Sequence, residues 1–259
     1  MSTDTISNNK VAEVTFAFWV MKICATTLGE TAGDLLSMTM DVGYALSSVI
    51  LLAFFLVTLI WQLKSKSFHP YIYWLVILST STAGTTMSDF MDRTLALGYA
   101  TGSLILVSLL VLSLIIWRFM MGNLSVSNIA TPKAEILYWF TILISNTLGT
   151  ALGDYLADDS GLGFMGGALL VGSTIALTTL LYKFTNINRI VLFWVAFVLT
   201  RPFGATFGDV LTKMPERGGL GFGTIGSSMV LAFILVAVVV ATHKFNSSPT
   251  VFAKMDAVD

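Results

Sequence analysis

Apolar residues along this chain gather into eight long runs, near residues 13–36, 43–63, 70–92, 98–119, 133–157, 162–182, 188–212 and 221–242, parted by short polar stretches. At about 1.5 Å of rise per helical residue, each run is long enough to cross a hydrocarbon core of about 30 Å. The even-numbered runs are almost unbroken. The odd-numbered ones are interrupted by glycine, threonine and single charges, as in "TTLGETAGD" from Thr26 to Asp34. The pattern predicts an all-α membrane protein, eight transmembrane helices in a single integral membrane domain over residues 1–259.

The interruptions recur at fixed spacing. Gly29, Gly84, Gly149 and Gly204 each have a tryptophan ten residues earlier (Trp19, Trp74, Trp139, Trp194) and an aspartate five residues later (Asp34, Asp89, Asp154, Asp209). The residue before each aspartate is small: Gly33, Ser88, Gly153 and Gly208. The following helix opens on "VGY" at Tyr44, "LGY" at Tyr99 and "LGF" at Phe164 and Phe222, with three extra residues before the last. The chain therefore reads as four tandem hairpins, about 13–65, 68–121, 133–185 and 188–244, with a polar linker over 121–134. A repeat on this scale governs the fold reading. Two spans per unit return the chain to its starting side, so all four copies share one orientation, unlike inverted-repeat transporters. The expected arrangement is a pseudo-four-fold bundle with the odd helices at its centre and the even helices facing lipid.

Four hairpins carrying W-x9-G-x4-D resemble a bacterial membrane-anchored family built from a two-helix repeat of unknown function, over residues 13–244. The resemblance implies this architecture and no activity.

Composition sharpens the class. Of 259 residues, 55% are hydrophobic and 11% charged, against about 25% charged in soluble domains. A net charge of −1 gives no reason to expect nucleic acid as a partner. Cys24 is the sole cysteine, which excludes a disulfide framework or CxxC site. The opening "MSTDTISNNK" lacks the basic stretch and cleavage site of a signal peptide. Lys10, Lys64, Lys66, Arg118, Lys133, Lys183, Arg189, Lys244 and Lys254 fall on the side of the termini, against Arg93, Lys213 and Arg217 opposite. The positive-inside rule then places both termini in the cytoplasm of an inner-membrane protein.

The small-xxx-small pairs Gly29/Gly33, Gly84/Ser88, Gly149/Gly153 and Gly204/Gly208 suit close helix packing in lipid. The tryptophans suit an aromatic belt or a packing contact near the cytoplasmic end, and Tyr44, Tyr99, Phe164 and Phe222 the same near the outer end. The aspartates are harder to place, because a carboxylate inside a span costs at least ~2.5 kcal/mol. Asp34, Asp89, Asp154 and Asp209 form a ring that either binds a cation or proton, or caps backbone N–H groups of the outer loops. Glu30 lies one turn before Asp34 on the same face. Thr27, Thr31, Thr82, Thr85, Thr86, Thr147, Thr150 and Thr206 extend a polar stripe that would line a path. Lys22 and Arg201 lie deeper, each expected to pair with a carboxylate and either lock helices 1 and 7 or gate the path.

The leading expectation is a transporter or channel for a cation, most simply a hard divalent metal such as Mn²⁺ or Mg²⁺, with proton coupling an option. Its ligands would be Asp34, Asp89, Asp154, Asp209 and Glu30, since such ions take oxygen donors. A divalent cation is the one cofactor indicated; the expected partners are the lipid bilayer and the transported cation or solute. The alternatives are an organic or anionic solute anchored by Lys22 and Arg201, and a non-transporting scaffold or sensor. Cu(I) handling by Met38, Met40, Met87, Met91 and Met214 is a lesser option. An enzyme is not expected: HExxH and GxSxG are absent, and His69 and His243 fall at helix ends.

Overall fold

The computed structural model describes residues 9–126, 129 and 131–246. The polar stretch before Asn9, Lys254 of the charge count, and residues 127, 128 and 130 of the linker lie outside the described residues.

Eight long helices follow one another: α1 (Phe16–Asp34), α2 (Tyr44–Lys64), α3 (Pro70–Asp89), α4 (Tyr99–Met121), α5 (Pro132–Asp154), α6 (Gly163–Phe184), α7 (Arg189–Thr212) and α8 (Gly223–Asn246). The hydroxyls of Thr15 and Thr131 accept from the N–H groups of Phe18 and Ala134, capping α1 and α5. Pro70 and Pro132 take the first helical position, where no N–H is missed.

After its aspartate, each of the first three odd helices widens into one π-helical turn: Leu35–Thr39, Phe90–Thr94 and Tyr155–Asp159. The fourth copy stays α-helical to Thr212, and its extra residues form a 3₁₀ turn at Pro215–Arg217. The glycine that opens each even helix then turns the chain. Gly43, Gly98, Gly163 and Gly221 have φ between 68° and 79°, the left-handed region that costs glycine no Cβ clash.

The odd helices close a ring in which α1 packs on α3 and α7, and α5 on the same two. Each even helix leans on an odd helix of a neighbouring copy: α2 on α3, α4 on α5, α6 on α7 and α8 on α1. The glycines set the closeness of the ring. A Cβ on Gly29 would fall 2.3 Å from Ser81 Cβ, one on Gly84 3.0 Å from Asn146, one on Gly149 2.2 Å from Arg201 Cγ, and one on Gly204 2.7 Å from Thr26 Oγ1. Each anchor glycine thus meets the residue three before the anchor of the next copy. One turn on, Gly33 meets Thr85, Gly153 meets Ala205 and Gly208 meets Glu30. Both levels advance together, so the odd helices run parallel. They are unbroken at these glycines.

Of the most apolar stretch of α2, 17% of residues are buried, against 78% in α5 and 56% in α7. Six helices (α2, α4, α5, α6, α7 and α8) are long and apolar enough to cross a membrane, which makes this a multi-pass membrane protein. Among the described residues, α1 and α3 fall short of that measure. Lys22, Glu30 and Asp34 lower the hydropathy of α1, and a run of serines and threonines lowers that of α3; the ring shields all of them.

Candidate functional site: the axial column

Five layers fill the middle of the ring, each made of equivalent residues from α1, α3, α5 and α7, spaced four apart along the chain. From the N-terminal ends of these helices, the base, they are Phe18/Tyr73/Tyr138/Phe193, then Lys22/Ile77/Ile142/Phe197, then Thr26/Ser81/Asn146/Arg201. Glu30/Thr85/Thr150/Ala205 and Asp34/Asp89/Asp154/Asp209 follow. Every member but Phe193 is buried. Polarity therefore rises from an aromatic base to a carboxylate rim.

The base is closed by rings. Tyr73 and Tyr138 share a hydroxyl–hydroxyl hydrogen bond of 2.7 Å. Phe18 stands edge-on to Trp19 at 5.3 Å between centroids, and Tyr138 edge-on to Trp139 at 5.0 Å. Above it, Lys22 Nζ lies 4.2 Å from the centre of the Phe197 ring, fully buried and without a hydrogen-bond partner among the described residues.

Arg201 crosses the axis in the third layer. The two N–H groups of its Nη2 are shared among Glu30 Oε2 at 3.0 Å, Thr150 Oγ1 at 2.7 Å, Thr85 Oγ1 at 2.5 Å and the Ser81 carbonyl at 3.3 Å. Its Nη1 donates to the Thr26 carbonyl at 3.2 Å. All four odd helices thus converge on one guanidinium that has no exposed surface.

At the rim two cations each bridge two aspartates. Lys213 Nζ lies 2.9 Å from Asp34 and 3.0 Å from Asp209. Arg93 lies 2.9 Å from Asp89 and 3.1 Å from Asp154, flanked by the rings of Tyr44 and Tyr99 at 5.8 and 5.6 Å. Burial works against the charge on both, but the paired aspartates outweigh it and hold each more firmly protonated than an ordinary arginine or lysine. Glu30, Asp34 and Asp209 each offer an oxygen within 4.8 Å of the other two, a donor set suited to a hard cation.

Several expectations need correcting. Among the described residues Lys22 has no carboxylate partner; of the two, Arg201 pairs with an acid, Glu30. The axial acids therefore face four bases rather than two, because Arg93 and Lys213 reach back from the loops. The side chains of Asp34, Asp89 and Asp154 make no capping bond to the π-turns that follow them. Of the threonine stripe, only Thr85 and Thr150 reach the axis. Thr27, Thr82, Thr86 and Thr147 bond to carbonyls of their own helices. Thr31 accepts from Ser228 on α8, and the Thr206 methyl lies against Gly167 on α6. One residue further along a helix is a turn of about 100° away from the axis. Of the two readings of the tryptophans, packing is the one seen: Trp74, Trp139 and Trp194 are buried between the helices of the bundle. Met38, Met40 and Met214 are exposed at the rim.

Two features of the repeat were legible and missed. The residue before each tryptophan is aromatic (Phe18, Tyr73, Tyr138, Phe193), and the aspartates of copies two and four carry a base four residues on (Arg93, Lys213).

A family model described as Repeat of Unknown Function (DUF347) matches residues 17–68, 72–123, 137–188 and 192–248. No curated protein and no solved structure matches the chain.

Proposed function

The chain belongs to this repeat family, whose description carries no activity, and on that premise we propose that it is a membrane transporter for a hard cation, held here with its axis shut. One observation carries the reading. Five buried acids (Glu30, Asp34, Asp89, Asp154 and Asp209) stand along the axis with Lys22, Arg93, Arg201 and Lys213. Ionisable groups inside a membrane bundle are costly and mark ion or proton pathways.

In this reading all eight helices cross the membrane, with both termini cytoplasmic and the aspartate rim outward. The Lys213 side chain keeps 17% of its surface exposed, so its ammonium occupies the rim as an exchangeable tethered cation. An incoming cation takes its place between Asp34 and Asp209, with Glu30 as the third oxygen donor. The Arg201 guanidinium blocks the next layer and the aromatic layer blocks the base, so passage requires both to move. Lys22, an amine without an acid partner, is the natural proton acceptor of a coupled cycle. The solute alternative is less favoured, because the Arg201 Nη groups already serve Glu30, Thr85, Thr150 and two carbonyls.

Flux into proteoliposomes tests the reading. Mn²⁺, Mg²⁺, Co²⁺ and K⁺ would be tried in turn, with a pH dye inside, against protein-free vesicles. Uptake of a divalent ion is expected. No flux of any cation would leave the scaffold or solute readings.

A further inference from the structure

The polar contacts of the axis do not respect the four-fold symmetry that the repeat implies. The α1–α7 contact holds the Arg201–Glu30 pair, the Lys213 bridge between Asp34 and Asp209, and the Thr26 hydroxyl bond to the Thr200 carbonyl at 3.1 Å. The α3–α5 contact holds the Arg93 bridge between Asp89 and Asp154, the Asn146 bond to Thr80 at 2.9 Å, and the tyrosine pair. Between these two pairs no ion pair is found at the rim among the described residues. The even helices divide the same way: α8 and α6 lean on α1 and α7, while α2 and α4 lean on α3 and α5.

We infer that the bundle works as two four-helix bodies, α1/α6/α7/α8 and α2/α3/α4/α5, that part along the seam between them at the rim. At mid-depth the polar links across the seam come from three groups. Arg201 Nη2 lies within bonding distance of Ser81, Thr85 and Thr150; the single Thr85 hydroxyl proton serves either the Gly29 carbonyl at 3.1 Å or Glu30; and Glu30 accepts from Thr150.

At the base the seam is pinned. Residues 9–12 run from α1 to the other body, where Lys10 pairs with Glu135 at 2.6 Å. Gln62 holds both, through the Lys10 carbonyl and Glu135 Oε1. Parting at the rim separates Asp34 and Asp209 from Asp89 and Asp154, while Lys213 and Arg93 each stay with their own pair. It exposes Arg201 and Glu30 to the outer side. The chain crosses the seam covalently at 35–43 and 155–162, which act as tethers.

Spin labels at four exposed rim positions read this movement, in a Cys24→Ser background. Met165/Met214 and Leu46/Leu95 lie within one body each; Leu46/Met214 and Leu95/Met165 lie across the seam. The variant Thr85→Val/Thr150→Val removes the hydroxyl links and spares the ion pairs. The expected result is a second population, about 5 Å longer, in the two cross-seam distances alone, a hinge-scale shift. Equal lengthening of all four distances, as in an iris, overturns the inference, and so does no change in a folded variant. Thr85→Val alone, which spares Thr150 and every ion pair, serves as the second variant should the first not fold. The readout is distance rather than flux, so a protein that parts along the seam without passing a cation would sink the transport reading and leave this one standing.

Discussion

Removing one member of the Arg201–Glu30 pair should cost far more than removing both. The two side chains meet at 3.0 Å with 0% and 4% of their surface exposed, so water does little to relieve a charge left alone. Breaking a buried pair costs about 3–5 kcal/mol, mostly as the penalty on the orphaned charge. Glu30→Gln keeps an acceptor for Arg201, and Thr85, Thr150 and two carbonyls still receive its N–H groups. Its cost should therefore sit at the lower end, about 3 kcal/mol. Arg201→Met leaves Glu30 with only two threonine hydroxyls and should cost about 4 kcal/mol. For a chain of this size, about 3 kcal/mol corresponds to a fall of roughly 6–12 °C in Tm. Glu30→Gln/Arg201→Met orphans no charge and should melt above either single variant. The assay is thermal unfolding in detergent, followed by tryptophan fluorescence. A double variant whose fall in Tm equals the sum of the single falls would refute the claim that the two charges depend on each other.

Three more expectations follow from particular contacts. Gly29→Ala should lower Tm, because the new Cβ would sit 2.3 Å from Ser81 Cβ, while Gly226→Ala in α8 meets nothing within 4 Å and should gain about 0.5–1 kcal/mol from helix propensity; equal effects would count against close ring packing. Lys213→Gln empties the bridge between Asp34 and Asp209, so added Mn²⁺ should raise the Tm of this variant more than that of the native chain, and an equal rise would speak against a shared site. Lys213 titrates above its ordinary value in the folded protein, so its stabilisation is fully present below the unfolded lysine pKa of about 10.4 and is lost only as pH rises past it. The Tm gap between the native chain and Lys213→Gln should accordingly stay constant from about pH 7 to 9; a gap that closes in that window would mean Lys213 sheds its proton early.

The fold was legible because the repeat constrains it four times over. The glycine spacing called for close packing, the polarity of the odd runs placed them inside, and ring closure with parallel odd helices followed. Individual side-chain roles were less legible, for two reasons. A one-residue error of register turns a side chain by about 100°, which is why Thr31 and Thr206 face α8 and α6 rather than the axis. Partners distant in sequence left no trace either: nothing in a single chain says that Lys10 meets Glu135, 125 residues on. The Asp89–Arg93 and Asp209–Lys213 pairs did carry a signal, since each base lies one helical turn past its acid. They were counted as loop charges because each base falls one residue past the end of its apolar run, at 92 and at 212. The uneven placement of these bases, in copies two and four alone, is what turns a four-fold repeat into two paired bodies.

If the carboxylate rim belongs to a cation path, Mn²⁺ uptake into proteoliposomes depends on it. The native chain would be compared with the Asp34/Asp89/Asp154/Asp209→Asn variant, once tryptophan fluorescence shows that the variant is folded. Uptake by the native chain, driven by an inward Mn²⁺ gradient, and none by the folded variant is the expected result. Equal uptake by both, or none by the native chain, would contradict it.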